Sequence, residues 1–395
     1  MSHNTDIPVS ERVHISFWGR CNSGKSSLIN ALTGQSVAIV SDIAGTTTDP
    51  LLKTMELPGV GATVLIDTAG LDDTSVLGQQ RIGRSRMMLD RTDIAIILFH
   101  ECDISIETEL ADEMRRRGIP TVCVISRCDI LHDTDSLEKS ITSATGIKPL
   151  CVSALTGEGT ASLRERIASM HKTEDRLLTY GLCEPGDTVL LVMPQDRQAP
   201  KGRIIKPQIQ VLRELLDRGC NVLCCTTGTM QQALTALSSP PQLVITDSQA
   251  FASVYGLTPK DTRLTSFSIL FARYKGDINE FIKGAQAIDR LSSSSRILIA
   301  EACTHVPQHE DIGRVKLPNL LRRHFGDSIS IDIVGGNDFP DDLSGYGLII
   351  HCGACMFNRR HVMSRISRAK AQNIPVTNYG VAIAALTGIL DKVVY

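Results

Sequence analysis

The chain has 395 residues, of which 42% are hydrophobic, 21% charged and 4% aromatic, and its formal net charge is -2. This length predicts roughly two to four domains, and the balanced charge and single tryptophan argue against a general nucleic-acid surface. No apolar run approaches the ~18 residues of a membrane span, and the opening "MSHNTDIPVS" lacks the layout of a signal peptide. We therefore expect a cytoplasmic protein with no membrane and no nucleic-acid partner.

From residue 12 to about residue 172, apolar runs of strand length alternate with helical patterns. The predicted strands are "HISFWG", "ATVLID", "DIAIILF", "TVCVIS" and "KPLCVS". The predicted helices begin at Lys25 and near Gln79, Thr108, Asp135 and Thr160. This alternation is typical of a parallel sheet with helices on both faces, so the first domain is predicted to be α/β.

The stretch "GRCNSGKS", Gly19 to Ser26, lies between a predicted strand and a predicted helix and matches the phosphate-binding loop Gly-x4-Gly-Lys-Ser. In that motif the backbone N–H groups point at phosphate oxygens. Lys25 would reach the β- and γ-phosphates, and the Ser26 hydroxyl would bind magnesium. We expect a nucleotide site here.

Four further motifs follow at the spacings of a small GTPase: "DIAGTTTD", "IDTAG", "SRCD" and "CVSAL". A threonine of the Thr46 to Thr48 run, assigned to Thr47, would bind magnesium, and Asp67 and the Gly70 N–H would act beside the γ-phosphate. Asp129 would accept two hydrogen bonds from guanine, which adenine cannot offer. The predicted catalytic residues are Lys25, Thr47, Asp67 and Gly70, with Ser26, Thr47 and Asp67 at magnesium. The predicted nucleotide-binding residues are Gly19, Asn22, Ser23, Gly24, Lys25, Ser26, Ser27, Thr46, Thr47, Thr48, Asp67, Asp129, Ser153 and Ala154.

On these motifs, residues 9–172 resemble the GTPase domain of the tRNA-modification GTPases called TrmE or MnmE, which is a Ras-like P-loop domain. The resemblance implies that Asn22 helps to hold a potassium ion. Leu71 stands where many GTPases carry a glutamine, so we expect slow intrinsic hydrolysis. The family pattern Asn-Lys-x-Asp is replaced here by Ser126 and Arg127 before Cys128 and Asp129, and we expect weaker support of the base site.

Beyond a predicted linker at residues 173–184, two smaller α/β segments follow, at residues 185–264 and 265–395. The strands "TVLLVMP", "NVLCCTT" and "QLVITD" belong to the first, and "RILIAEA", "ISIDIVGG", "GLIIHC" and "IPVTNYG" to the second. The complete expectation is a Ras-like P-loop GTPase domain followed by two smaller α/β domains.

The last segment contains a second candidate site in "EACTHVPQHEDIGR" and "HCGACM". Cys303 follows one predicted strand and Cys352 another, so parallel pairing would bring both to the same edge of a sheet. Cys355 follows in a turn that Gly353 would permit. Cys303, His305, His351, Cys352 and Cys355 could form an iron–sulfur site, a closed zinc site or, from the last two cysteines alone, a redox pair. Nearby Arg314, Lys316, Arg359 and Arg360 would attract an anionic group or form a solvated face.

Cys-x-His followed by His-Cys-x-x-Cys, together with "EDIGR", "KLP" and "ARYKGD", resembles the HydF family of FeFe-hydrogenase maturation GTPases over the whole chain. The resemblance implies a dimerisation domain at residues 185–264 and a cluster-binding domain at residues 265–395. It implies a 4Fe-4S cluster on Cys303, Cys352 and Cys355, with His305 or His351 as a possible fourth ligand. It also implies a homodimer that carries a diiron precursor between radical-SAM hydrogenase maturases and the apo FeFe-hydrogenase.

The sequence thus predicts a GTP-binding and GTP-hydrolysing carrier with GTP or GDP, Mg²⁺, K⁺, a 4Fe-4S cluster and a diiron precursor cluster. Two alternatives stay open. A tRNA-modification-type GTPase would bind RNA, and a zinc-stapled regulatory GTPase would act as a switch without cluster chemistry.

Overall fold

The computed structural model describes residues 7–34, 50–131, 133–171, 176–194, 205–302, 311–336, 338–354 and 357–395. The chain divides into two compact units, Met1–Glu174 and Asp175–Tyr395. Among the described residues, no helix combines the length and the apolar character needed to cross a membrane.

The first unit is built on one six-stranded sheet. Its strands are β1 (Val13–Trp18), β2 (Leu51–Leu57), β3 (Gly61–Asp67), β4 (Ile94–Phe99), β5 (Thr121–Ser126) and β6 (Leu150–Val152). Its helices are α1 (Lys25–Thr33), α2 (Val76–Met87), α3 (Ser105–Arg116), α4 (Thr134–Thr145) and α5 (Thr160–Met170). The strand order is β2-β3-β1-β4-β5-β6, and β2 alone in this sheet runs antiparallel to its neighbour.

The central strands of this sheet are buried on both faces because helices cover each side. Every residue of β1, β4 and β5 is buried. Alternate side chains enter separate cores: Ile15 and Phe17 pack with α1 and α5 residues, whereas Trp18 packs with α3 and α4 residues. The predicted α/β fold of this unit is confirmed, with the carboxyl ends of the parallel strands on one edge.

The second unit contains two four-stranded sheets whose paired strands are all parallel. Its first half comprises β7 (Thr188–Val192), α6 (Lys206–Asp217), β8 (Asn221–Cys225), α7 (Met230–Thr235), β9 (Leu243–Thr246), α8 (Phe251–Leu257), β10 (Arg263–Ser266) and α9 (Phe267–Lys275). The second half comprises α10 (Ile278–Gln286), β11 (Arg296–Ala300), α11 (Leu317–Phe325), β12 (Ser330–Val334), β13 (Leu348–His351), α12 (Arg359–Ala371), β14 (Val376–Asn378) and α13 (Tyr379–Leu386). A π-helical turn, Ile312–Lys316, leads into α11. The strand orders are β10-β9-β7-β8 and β12-β11-β13-β14.

These two sheets share one hydrophobic core within the second unit. Leu190 and Val244 of the first sheet belong to the same buried cluster as Ile299 and Ile350 of the second, and Ile269 of α9 joins them. Within the predicted linker, Leu178, Leu182 and Cys183 are buried in another core of this unit. The second half is therefore packed against the first rather than tethered to it.

Candidate functional sites: a P-loop nucleotide site and a cysteine-bearing sheet edge

The phosphate-binding loop joins β1 to α1 through backbone conformations that most residues avoid. Gly19 has φ 149° and Gly24 φ 89°, and Asn22 also lies in the left-handed region at φ 57°. A Cβ added at Gly19 would stand 2.8 Å from both Leu98 O and Ser23 Oγ. The loop therefore needs glycine at this turn, as the motif predicts.

Lys25, at the start of α1, is buried, and Asp67, at the end of β3, is partly buried. Lys25 Nζ donates to Gly19 O at 3.0 Å and to Arg20 O at 2.8 Å, and the Ser26 hydroxyl donates to the Asp67 carboxylate. Burial lowers the pKa of Lys25, against the attraction of Asp67. Burial likewise raises the pKa of Asp67, against the Ser26 hydrogen bond and Lys25. A polyphosphate at Lys25 and a divalent cation at Ser26 and Asp67 would favour the charged form of both groups.

The "DTAG" segment after β3 lies directly on the phosphate-binding loop. A Cβ on Gly70 would stand 2.2 Å from Cys21 Sγ and 2.7 Å from Cys21 N. Leu71 N donates to Gly19 O at 3.2 Å, and Asp72 Oδ1 accepts Cys21 N–H at 2.6 Å. The sequence pattern did not single out Cys21 or Asp72, because neither is a fixed position of the motif. The predicted Thr46, Thr47 and Thr48 lie outside the described residues.

A second support of the loop was also missed from sequence. Arg20 Nη2 donates to Asp103 Oδ2 at 2.7 Å, and Arg20 Nε lies 3.3 Å from Glu107 Oε1. Glu107 is 2% exposed, and burial raises its pKa against the nearby Arg20. This ion pair ties the loop to the start of α3 in a partly dehydrated setting, where removing one partner would be costly.

The residues predicted to recognise the base surround a cavity of about 240 Å³. Gly24, Ser27, Asp129, Ile130, Ala154 and Leu155 line it. Ser153 is buried, and its hydroxyl accepts Thr156 N–H at 3.1 Å, so it stabilises the turn that carries Ala154. The cavity has the polar edge and apolar walls of a site for a planar heterocycle.

Ser126 and Arg127, which differ from the family pattern, both lie close to the phosphate-binding loop. The buried Ser126 hydroxyl lies 2.8 Å from Ser23 O and 3.3 Å from Phe99 O. Arg127, at φ 58°, places Nε 3.9 Å from where a Cβ of Gly24 would lie. The serine therefore links β5 to the loop and gives the base site some support.

The cysteine-bearing edge is formed where β11 and β13 end side by side. The two strands pair in parallel, with Ala300 opposite His351, which confirms the predicted pairing. Cys352 Sγ accepts N–H groups of Ala302 at 3.0 Å and Ala354 at 3.4 Å. Cys303 follows Ala302 in the sequence, and Cys355 follows Ala354. Both of these cysteines and His305 lie outside the described residues.

The described part of this edge fits thiolate ligation of a metal group. Backbone N–H groups directed at a cysteine sulfur are the hydrogen bonds that stabilise metal-bound thiolates. Space is also available, since a Cβ on Gly353 would meet nothing within 4 Å. No group of three or more His, Cys, Asp or Glu within the described residues is arranged to hold a metal ion, and three of the predicted ligands, Cys303, His305 and Cys355, are not among those residues. The left-handed residue of the turn is Ala354, at φ 48°.

His351 is fully buried beneath this edge, and both its ring nitrogens are engaged. Nδ1 lies 2.7 Å from Cys352 O, and Nε2 lies 3.2 Å from Arg365 Nη1. Burial, then the charge of Arg365, lowers the pKa of His351 to about 3. A neutral ring that donates from Nδ1 and accepts at Nε2 satisfies both contacts, and ligating a metal would require breaking one of them.

Arg365 of α12 connects the ends of three neighbouring strands. Besides His351 it donates to Glu301 O at 3.3 Å and to Gly336 O. The basic residues singled out from sequence have protein partners as well: Arg314 donates to the buried Glu301 carboxylate at 2.9 Å, and Arg359 donates to Tyr274 O at 3.2 Å. Arg365 lies far along a helix from the cysteine motif, and nothing in the local pattern marked it.

Family models match the chain in three successive segments. Residues 14–127 match the 50S ribosome-binding GTPase model, residues 178–276 the hydrogen maturase F dimerization domain, and residues 279–395 the hydrogen maturase F tetramerization domain. The first segment establishes a P-loop GTPase domain, which binds GTP or GDP with Mg²⁺. The second and third indicate that the chain forms oligomers.

Relatives of known function match the N-terminal part. The tRNA modification GTPase MnmE of Xanthomonas oryzae pv. oryzae (strain PXO99A) is 33% identical over 159 residues, which is 40% of this chain and 34% of the relative. MnmE of Nitrosomonas europaea is 34% identical over 163 residues, again 40% of this chain and 34% of the relative. The chain thus spans about a third of the length of these relatives.

Solved structures also match part of the chain. A variant of Aquifex aeolicus Era bound to GDP and aluminium fluoride is 18% identical, covers 57% of this chain and 98% of its own, and has a TM-score of 0.35. The cytosolic domain of the T. maritima FeoB iron transporter in apo form is 22% identical, covers 42% of this chain and 67% of its own, and has a TM-score of 0.34.

The two hydrogen maturase F models, at residues 178–276 and 279–395, together match more than half of the 395 residues. Because they follow a GTPase domain in the same chain, the protein belongs to the hydrogen maturase F (HydF) family of hydrogenase maturation GTPases.

Proposed function

We propose that this chain is a GTP-regulated carrier that holds a 4Fe-4S cluster on Cys303, Cys352 and Cys355. Its cargo would be the diiron precursor, received from radical-SAM maturases and passed to apo FeFe-hydrogenase. The observation that carries the proposal is the Cys352 sulfur at paired strand ends. It accepts N–H groups from the residues that precede the other two cysteines. The protein's part is to bind, orient and hydrogen-bond the thiolates.

We propose that an exchangeable group occupies the fourth cluster position, and that His305 is the candidate ligand from the protein. His351 is the weaker candidate because its two ring nitrogens already bond Cys352 O and Arg365. A cluster with three protein thiolates keeps one iron available for exchange, which is what a carrier needs.

Anaerobic reconstitution with iron and sulfide tests the cluster directly. We expect about four iron and four sulfide per chain, and an EPR signal of the reduced protein that changes when imidazole is added as a competing ligand. The C352S variant should take up no such cluster. A colourless protein that retains stoichiometric zinc would favour the zinc-stapled switch, and a salt-dependent tRNA gel shift would favour an RNA-modifying role.

We further propose that hydrolysis is slow and stimulated by potassium held near Asn22, and that nucleotide turnover times loading or release of the cargo. Asn22 lies in the left-handed region within the phosphate-binding loop, where a side-chain oxygen can face a cation. Hydrolysis rates in potassium chloride and sodium chloride at equal ionic strength test this, and equal rates would contradict it.

The guanine preference is assigned to Asp129, which lines the base cavity. The D129N variant should lose affinity for GTP and gain affinity for xanthosine triphosphate. The reason is that an amide matches the N1–H donor and the 2-oxo acceptor of xanthine. Competition with labelled GTP measures both effects, and equal binding of ATP and GTP by the wild type would refute the assignment.

A further inference from the structure

We propose that Lys275 is the positioning residue of the cysteine-bearing turn, a role that rests on the proposed cluster function. Lys275 is the last residue of α9 and is 3% exposed. Its Nζ donates to Ala354 O at 3.0 Å and to Phe357 O at 3.0 Å. These two carbonyls bracket Cys355 in the sequence, so one buried ammonium fixes the chain on both sides of a proposed ligand.

The conformation of Ala354 explains why the turn needs this support. Its φ of 48° is left-handed, a conformation that a residue with a Cβ rarely adopts because of steric strain. The same residue donates its N–H to Cys352 Sγ and offers its carbonyl to Lys275. Bonds to charged donors are among the stronger ones in proteins, so Lys275 holds the residue whose N–H points at the sulfur, through the peptide that follows it.

Arg359 also connects α9 and α12, with the donor on α12 and the acceptors at the end of α9. At the start of α12 it donates to Tyr274 O at 3.2 Å and to Gly276 O, the two residues that flank Lys275. The end of α9 and the start of α12 thus exchange cation-to-carbonyl bonds on both sides of the cysteine turn. This arrangement depends on protein groups alone.

Cysteine alkylation of the metal-free, full-length protein tests the inference. The K275M variant lacks the two hydrogen bonds from Lys275 to the turn. We therefore expect N-ethylmaleimide to modify Cys352 and Cys355 roughly tenfold faster than in the wild type. Cys183 and Cys220 serve as internal references because they are buried in the same unit, at 1% and 5% exposure. Their alkylation should not change. The matched control is K283M, which removes an exposed lysine of α10 and should leave all four rates unchanged.

The outcomes separate positioning from general stabilisation. Faster modification of Cys352 and Cys355 alone supports the proposal. Unchanged rates overturn it, and so does an equal rise at all four cysteines, which would mean that Lys275 only stabilises the fold. If K275M is recovered only unfolded, the milder K275Q is judged by the same criteria.

Cluster retention gives a second readout. Reconstituted K275M should lose iron to a chelator severalfold faster than K283M, because its ligand turn is less preorganised. If the wild type takes up no cluster, the proposed carrier function fails, while the alkylation pattern still decides whether Lys275 positions the turn.

Discussion

Ser126 shows how one short side chain replaces a longer one at the nucleotide site. Its hydroxyl lies within hydrogen-bonding distance of Ser23 O and Phe99 O, at 2.8 and 3.3 Å, so it connects β5, the phosphate-binding loop and β4. The expectation of weaker support came from losing an asparagine. The serine is buried, however, and a buried hydroxyl in contact with backbone carbonyls retains much of the linking function.

The S126A variant should therefore bind GDP about tenfold more weakly, since it leaves buried carbonyls without this donor at a cost of about 1–2 kcal/mol. Isothermal titration calorimetry measures the affinity. S140A is the matched control, because the Ser140 hydroxyl is exposed and bonds only locally, to Ser136 O. Equal GDP affinity in S126A and the wild type would show that the hydroxyl does not support the loop.

His14 makes a pH-sensitive contribution to the stability of the first unit. It is fully buried in β1, Nδ1 lies 2.9 Å from Arg12 O, and Asp93 Oδ2 accepts its backbone N–H at 2.8 Å. Burial, followed by the charge of Arg91, lowers its pKa from 6.5 to about 3. The native state therefore holds His14 neutral, whereas the unfolded chain takes up a proton below about pH 6.5.

It follows that the stability due to neutral His14 is complete above about pH 6.5 and falls as the pH decreases towards 3, by at most about 1.4 kcal/mol per pH unit. Replacing His14 by Asn should remove this dependence. Urea unfolding at several pH values measures it through Trp18, the single tryptophan, which is buried in β1. Parallel stability curves for H14N and the wild type would contradict the assignment.

At the scale of elements, helix α10 lies so close to β14 that only glycine fits at position 284. A Cβ there would stand 2.0 Å from Val376 O and 2.4 Å from Val376 C, both backbone atoms. We expect G284A to lower the free energy of unfolding by about 2–3 kcal/mol through overpacking. G256A in α8 is the control, because its Cβ would meet nothing within 4 Å and should be neutral or stabilising by about 1 kcal/mol.

Circular dichroism during thermal unfolding, with hydrogen exchange of the α10 and β14 peptides, distinguishes the two variants. Only G284A should show faster exchange in these elements. Similar unfolding midpoints for G284A and G256A would mean that the helix can move away from the strand at little cost.

Most strands were predicted from sequence, whereas β2 and β10 were not. β1, β4 and β5 are continuous apolar runs because both faces of the sheet are covered, and helix α1 begins at the predicted Lys25. β2 and β10 were missed because neither "LLKTMEL" nor "RLTS" contains a continuous apolar run of strand length. Local periodicity carries no signal for such strands, since tertiary pairing decides them.

Some residues of the candidate sites were likewise predicted from sequence, and others were missed. Motif residues such as Lys25, Asp67 and Cys352 were found because fixed spacing reflects fixed geometry. Cys21, Asp72, Lys275 and Arg365 act through contacts with residues distant in sequence, and a single sequence does not record such contacts.

At the scale of the whole molecule, the nucleotide site and the cysteine edge belong to different compact units. Each hydrophobic core formed by the described residues draws on one unit only. Substitutions that share no partner usually act independently, so a local defect in one site should leave the chemistry of the other intact.

K25A should therefore lower GTP hydrolysis roughly a hundredfold or more, because it removes the cation at the phosphates, while iron and sulfide uptake stays at the wild-type level. C352S should abolish cluster uptake and leave GTP hydrolysis nearly unchanged. Single-turnover hydrolysis and iron quantification on the same preparations measure both. Loss of both activities in either variant would show that the sites depend on each other's integrity. If the two basal activities are independent, GTP can act on the cargo only by changing how the units or subunits are arranged.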